Sequence, residues 1–189
     1  MAPLAGAERF VRVKQAVSAT EPSSQGSTAL LNHIYRILAA GLALVLPGLL
    51  ALWSHKLLLF ASLGPTAVMM AQQPTLRTSH WYNAFAGHAL GMLSAFITVW
   101  LLALATAPSV FVVDEVSPRR VAAAALSVAL ALLLEQPARA QHPPAASTTL
   151  LVALGSFKPT WHDAGVILGG VAAVIVAGEL LKGLRTLPH

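Results

Sequence analysis

Gln141-His142-Pro143-Pro144-Ala145-Ala146-Ser147-Thr148-Thr149-Leu150 is the stretch on which the architecture turns. Two adjacent prolines do not sit inside a regular helix, because each removes an amide donor and presses its ring against the preceding turn. They are tolerated in a first turn, where the missing amide has no intrahelical partner. The stretch therefore predicts a helix that starts at His142, with apolar sequence on both sides, Val121 to Leu134 before it and Leu150 to Gly155 after it. A helix start carries unsatisfied N–H groups and a partial positive charge, which suit an anion. Ser147, Thr148 and Thr149 add hydroxyl donors one turn further on, and His142 adds an imidazole. A second reading stays open: the prolines set a plain hairpin turn, and the hydroxyls bond back to carbonyls of their own helix.

The rest of the chain says which solvent surrounds that start. Of 189 residues, 56% are hydrophobic and 10% charged, with a mean hydropathy of +0.70. Soluble domains carry roughly 25% charged residues, so the composition excludes an ordinary soluble domain and predicts an integral membrane protein. Twelve Lys and Arg against seven Asp and Glu give a formal charge of +5, which on a soluble chain would suggest nucleic acid. Here the basic residues fall between apolar stretches, as the flanks of membrane spans do, and no nucleic-acid partner is expected. The chain has no cysteine, which excludes disulfides, thiolate metal sites and cysteine nucleophiles.

Six apolar segments are legible: Ile37 to Trp53, Leu57 to Ala71, Asn83 to Ala105, Val121 to Leu134, His142 to Gly155 and Ala164 to Leu181. Crossing a hydrocarbon layer of about 30 Å takes about 20 helical residues. The first, third and sixth approach that length, and the fourth does so with its flanking arginines. The second and fifth are short, and each carries proline beside polar groups, Gly64-Pro65-Thr66 in one and the His142 stretch in the other. These two are expected to be broken or re-entrant. Trp81-Tyr82-Asn83-Ala84 recurs 80 residues later as Trp161-His162-Asp163-Ala164, each copy leading into a small-residue pair, Gly87/Gly91 and Gly165/Gly169. Pro65 and Pro144 stand 79 apart. The series predicts a duplication of a three-segment unit, with halves of about 34–106 and 119–185. Broken segments in corresponding halves point to a central transporter site, so Gly64, Pro65 and Thr66 are expected to face the His142 stretch.

Loop charges place both termini in the cytoplasm, with eight basic residues inside against four outside for six crossings and for four alike. Residues 1–33, with Arg9, Arg12 and Lys14, read as a partly disordered cytoplasmic arm, and 186–189 as a tail. His88 falls about one turn inside the third segment, where both a proton-sharing role and a simple bond to a carbonyl remain open. Asn83 and Asp163 suit helix N-caps, and the four tryptophans suit the aromatic belts of a membrane. Glu135 with Arg139, and Glu179 with Lys182, read as interfacial helix pairs; turned inward, Glu179 would be the natural proton carrier. The seven histidines show no metal-ligand spacing and the carboxylates form no catalytic pair, so neither a metal or other cofactor nor an enzyme is expected.

The run His142-Pro143-Pro144-Ala145-Ala146-Ser147-Thr148, in its apolar setting, resembles the HPP family of integral membrane proteins, named for that tripeptide. Leu59-Phe60-Ala61-Ser62-Leu63-Gly64-Pro65-Thr66-Ala67-Val68 is similar to the family's first-half motif, an apolar run usually ending in Gly-Ala-Ser-Ala. The resemblance covers about Ile34 to Leu184. Departures are Pro65, where small residues are commoner, and the polar stretch Gln72 to Ser79. Family members are multi-spanning, some fused to regulatory CBS domains, and plant plastid members are implicated in nitrite transport. The resemblance therefore implies nitrite, or a similar small monovalent anion, as substrate.

The sequence thus predicts an all-α integral membrane helical bundle of six hydrophobic segments, four to six of them crossing, arranged as two three-segment repeats. The expected function is transport of a small inorganic anion. The candidate binding residues are His142, Pro143, Pro144, Ser147, Thr148, Thr149, Gly64, Pro65, Thr66 and His88. A passive anion channel and a non-transporting scaffold or sensor are the alternatives. The lipid bilayer and a second copy of the chain are the other expected partners, in the bacterial inner membrane or, alternatively, a plastid envelope.

Overall fold

The computed structural model describes residues 23–185. The arm expected over 1–33 therefore lies largely outside the described residues, as does the tail over 186–189. Residues 23–33, read from sequence as part of that arm, are helical. Eight α-helices and no strand occur among the described residues: α1 (Ser23–Leu42), α2 (Val45–Ser54), α3 (Leu63–Gln72), α4 (Trp81–Leu101), α5 (Val110–Val113), α6 (Pro118–Ala138), α7 (Ala145–Ala153) and α8 (Trp161–Arg185). A single 3₁₀ turn, Arg77–Ser79, precedes α4. The chain divides into two units, Met1–Arg36 and Ile37–His189. The described part of the first is the opening of α1, with Leu30, Leu31 and Ile34 exposed.

Among the described residues, four helical stretches are long and apolar enough to cross a membrane: Thr28–Ser54, Trp81–Leu101, Pro118–Ala138 and Trp161–Leu184. Trp81 and Trp100 stand 19 residues apart in α4, which is about 28 Å of helix, close to the thickness of the hydrocarbon layer. Both are exposed, as are Trp53 at the end of α2 and Trp161 at the start of α8, where an aromatic belt would place them. On α6 the polarity runs opposite to that of a helix in a soluble protein. On α6 the buried face is Arg120, Ala123, Ser127, Ala131 and Glu135, while Val121, Leu126, Leu132 and Leu133 point outward. Small and polar side chains face the other helices because lipid offers an apolar residue as good a solvent as a core does. The chain is a multi-pass membrane protein.

The two remaining apolar elements, α3 and α7, have ten and nine residues. Each is about 15 Å long, half the thickness of the layer. Hydrogen bonds fix which ends lie together. At one end, Lys56 Nζ, between α2 and α3, donates to His162 Nε2 in the first turn of α8 at 3.2 Å. The chain leaves α7 toward this same end, where Arg120 in the first turn of α6 holds Ala153. At the other end, Lys182 Nζ near the close of α8 donates to Ser79 O at 2.8 Å. There Tyr82, at the start of α4, donates to Ala138 O at the end of α6. The two half-helices therefore start in the interior and run to opposite ends.

Arg120 is buried, and no carboxylate among the described residues forms an ion pair with it. Its guanidinium donates to Ala153 O at 2.8 Å and to Ala107 O and Pro108 O at 3.0 Å each. These carbonyls close the last turn of α7 and the α4–α6 link, so a cation sits where the helix dipole is negative. Gly155, with φ at +91°, turns the chain around it, and a Cβ there would lie 2.8 Å from the guanidinium. Arg120→Met strands three acceptors, each worth about 1–3 kcal/mol when left unsatisfied. It is expected to lower thermal stability in detergent by about 3 kcal/mol or more, and lysine, a point charge, does not rescue it.

Candidate functional site

The link into α7 is built by local chemistry. Pro137 removes an amide donor from the last turn of α6, and the helix closes with Arg139 in the left-handed region, the Ala140 amide donating to Glu135 O and the Arg139 amide to Gln136 O. This is the Schellman closure, here with arginine where glycine is usual. Asn83, buried in the first turn of α4, donates from Nδ2 to Arg139 O at 2.9 Å and Gln141 O at 3.3 Å. The chain is thereby held as it turns inward, and His142 follows, 1% exposed. Pro143 and Pro144 make a turn, and α7 proper starts at Ala145 with Pro144 as N-cap, three residues later than the sequence suggests. The amides of Ala145, Ala146 and Ser147 bond back to the carbonyls of His142, Pro143 and Pro144. The free N–H cradle expected at this helix start is closed by its own 3₁₀-type turn. What remains open to chemistry is side chains, together with the dipole of the helix.

Those side chains form one connected cluster. Ser62, at the N-cap of α3, does not cap its own helix; its Oγ lies 2.6 Å from Thr148 Oγ1 in α7. Thr148 Oγ1 is 2.7 Å from His88 Nδ1, and His88 Nε2 is 2.9 Å from Thr66 Oγ1. Thr66 Oγ1 reaches His142 Nε2 at 3.3 Å, and His142 Nδ1 meets Thr78 O at 2.7 Å. The two imidazole centroids are 5.2 Å apart. Ser62, Thr66, His88 and Thr148 are fully buried.

With both imidazoles neutral, the proton positions follow from counting donors. A carbonyl only accepts, so His142 Nδ1 carries its proton and Nε2 accepts. Thr66 has one proton, also within reach of Ser62 O at 3.2 Å; given to His142 Nε2, it leaves Thr66 Oγ1 to accept from His88 Nε2. His88 Nδ1 then accepts from Thr148, and Thr148 accepts from Ser62. Every ring nitrogen is satisfied in this order. The chain of bonds runs unbroken from the start of the two half-helices to the turn before α4.

The sequence-predicted residues divide as follows. Thr66, His88, His142 and Thr148 are brought together. Pro143 and Pro144 shape the turn; Gly64 and Pro65 belong to the first turn of α3, with Pro65 exposed and pointing away. Thr149 Oγ1 bonds back to Ala145 O at 3.2 Å and lies against Gly91, and Ser147 is half-buried outside the cluster. Asn83 and Asp163 are not N-caps: each occupies the third residue of its helix. Asp163 instead accepts from the Lys158 amide at 2.7 Å, while Thr160 receives the Asp163 amide.

Glu179 pairs with Lys182 at 2.8 Å as expected and is not the inward carboxylate. Glu135 and Arg139 do not pair, because the left-handed turn takes Arg139 off the helix face while Glu135 turns in, 4% exposed. Ser62, the Thr78 carbonyl, Asn83 and Glu135 were missed. Ser62 had a signal, a hydroxyl four residues before Thr66; the others depend on which segments meet.

Gly87 and Gly91 let α4 approach this turn. A Cβ on Gly87 would stand 2.8 Å from His142 Cβ and 3.0 Å from Ala140 O. In the second half the close approach is made by Gly169 and Gly170 against Leu58 and Phe60, while Gly165 meets nothing within 4 Å. No group of three His, Cys, Asp or Glu able to hold a metal occurs among the described residues.

No curated protein and no solved structure matches this chain. Its sequence does match the family model for HPP, transmembrane region, over residues 25–186. That span covers most of the chain, from the opening of α1 to the end of α8, and contains every residue of the buried cluster; the chain belongs to the HPP transmembrane family.

Proposed function

We propose that the protein carries a small inorganic monovalent anion, nitrite first, across the bilayer, and that the anion is held where α3 and α7 begin. The observation that carries this is the meeting of Ser62 and Thr148 at 2.6 Å, which brings the N-terminal ends of two opposed half-helices together beside two buried histidines. Although the first amides are tied back, the peptide dipoles of both half-helices still point their positive ends at this junction. The hydroxyls of Ser62, Thr66 and Thr148 and the imidazoles of His88 and His142 replace part of the anion's hydration when their mutual bonds open. Half-helices converging on a midplane site are a recurrent device of secondary transporters.

The opposite courses of α3 and α7 favour six crossings, with two halves inverted in the membrane and both termini on one side. We take that side as the cytoplasm, and a bacterial inner membrane as the location. The buried state of the cluster favours a carrier with an occluded site over an open pore. The apolar outer surface leaves a face for a second copy.

Nitrite uptake into proteoliposomes tests this. Wild-type uptake is expected to exceed that of protein-free vesicles and to saturate. His142→Ala removes the residue that joins the turn at Thr78 to the cluster, and the rate is expected to fall about fivefold or more, the equivalent of one hydrogen bond of average strength. Equal rates for the two proteins remove His142 from the mechanism, and wild-type flux at background points instead to a scaffold or sensor.

A further inference from the structure

Glu135 is a carboxylate inside a membrane span, 4% exposed, on the inward face of α6. No lysine, arginine or histidine among the described residues forms an ion pair with it. The backbone N–H of His142 faces its carboxylate, so a single histidine separates it from the cluster, which begins at Nε2 of that same residue. The titratable groups on the elements packed around it are few. From α4 come Tyr82, whose hydroxyl is spent on Ala138 O, and His88; from the link come Arg139, exposed and turned away, and His142. The α7 helix brings none.

An uncompensated carboxylate charge in protein interior costs several kcal/mol, and ionisable groups so placed in membrane spans mark ion and proton pathways. An anion arriving at the cluster adds a second negative charge one residue away, in surroundings that screen it poorly. The two charges exclude each other, so anion binding and proton binding at Glu135 favour one another, and by linkage each raises the affinity for the other.

We infer that Glu135 is a proton-binding site coupled to the anion site, so that the protein moves one proton with each anion and transport is electroneutral symport. The proton joins a carboxylate oxygen of Glu135 on one side of the membrane and leaves it on the other, and no bond of the anion changes. This inference rests on the anion-transport reading above.

The test uses the full chain in proteoliposomes containing a trapped pH indicator, with protein-free vesicles subtracted for leakage of nitrous acid. In the wild type, nitrite uptake is expected to acidify the lumen in step with nitrite, to rise several-fold when the lumen is made alkaline, and to ignore an imposed potassium diffusion potential. Glu135→Gln is expected to lose the several-fold response to the pH gradient while exchange of labelled for unlabelled nitrite, at equal pH on both sides, stays within about twofold of wild type. Exchange also certifies that the variant is folded. If Glu135→Gln does not assemble, the wild-type measurements decide alone. Nitrite flux without protons, flux that follows the membrane potential, or a Glu135→Gln variant still driven by the pH gradient each overturns the symport site and leaves anion transport standing. Absence of wild-type nitrite flux overturns both.

Discussion

Gly87→Ala is expected to destabilise the protein by about 1–3 kcal/mol, and Gly87→Leu to prevent it from assembling. Helix propensity alone predicts the opposite sign, because alanine in a helix interior is favoured over glycine by about 1 kcal/mol. Packing decides against propensity here. The added Cβ would lie 2.8 Å from His142 Cβ and 3.0 Å from Ala140 O. Neither atom is the free end of a side chain, so neither can swing aside without moving the His142 turn. Overpacking of this kind costs about 1–3 kcal/mol, occasionally more.

Gly165→Ala is the control. Nothing stands within 4 Å of its Cβ position, and there the propensity gain of about 1 kcal/mol is expected in full. Thermal unfolding of the three variants in one detergent checks the order. A stabilised Gly87→Ala would mean that α4 and the turn are not in contact.

Thr66→Val is expected to bring transport to background with the backbone left in place. Valine keeps the volume and the β-branch of threonine but offers neither the proton that His142 Nε2 takes nor the oxygen that His88 Nε2 needs. Two buried ring nitrogens are then unpaired, at about 1–3 kcal/mol each, and the cluster is cut into two pieces. Thr66→Ser restores the hydroxyl and is expected to recover most of the flux. Comparison of the two variants in nitrite uptake separates the hydroxyl from the shape. Activity in Thr66→Val equal to that in Thr66→Ser would show that the link between the two histidines is dispensable.

The solvent of this protein was legible in its composition, and the half-helices were legible in their prolines. Pro65 and the pair Pro143-Pro144 favour helix starts for covalent reasons, and α3 and α7 do begin beside them. Thr66, His88, His142 and Thr148 were legible as polar groups in apolar sequence, where each needs a partner. The fate of the helix-start amides was not. Whether an N–H stays free or bends back to the carbonyl three residues earlier depends on how tightly the turn is wound, and the Pro-Pro turn winds it tightly enough to consume three of them.

Glu135 marks the same boundary from the other side. By spacing it is one half of an i, i+4 pair with Arg139, and on a continuing helix that pair would form. The helix ends first, in a left-handed residue held by Asn83 from another segment, and the arginine leaves while the carboxylate stays.

Covalent constraints and burial preference, which are properties of single residues and their near neighbours, thus set the membrane setting, the breaks and the polar candidates from sequence alone. Partner choice belongs to the tertiary structure. A serine at a helix start can cap its own amides or cross to another helix, and only the meeting of α3 with α7 selects Thr148 for Ser62. Such choices differ by about one hydrogen bond in free energy, too little for local sequence to fix and enough for packing to decide.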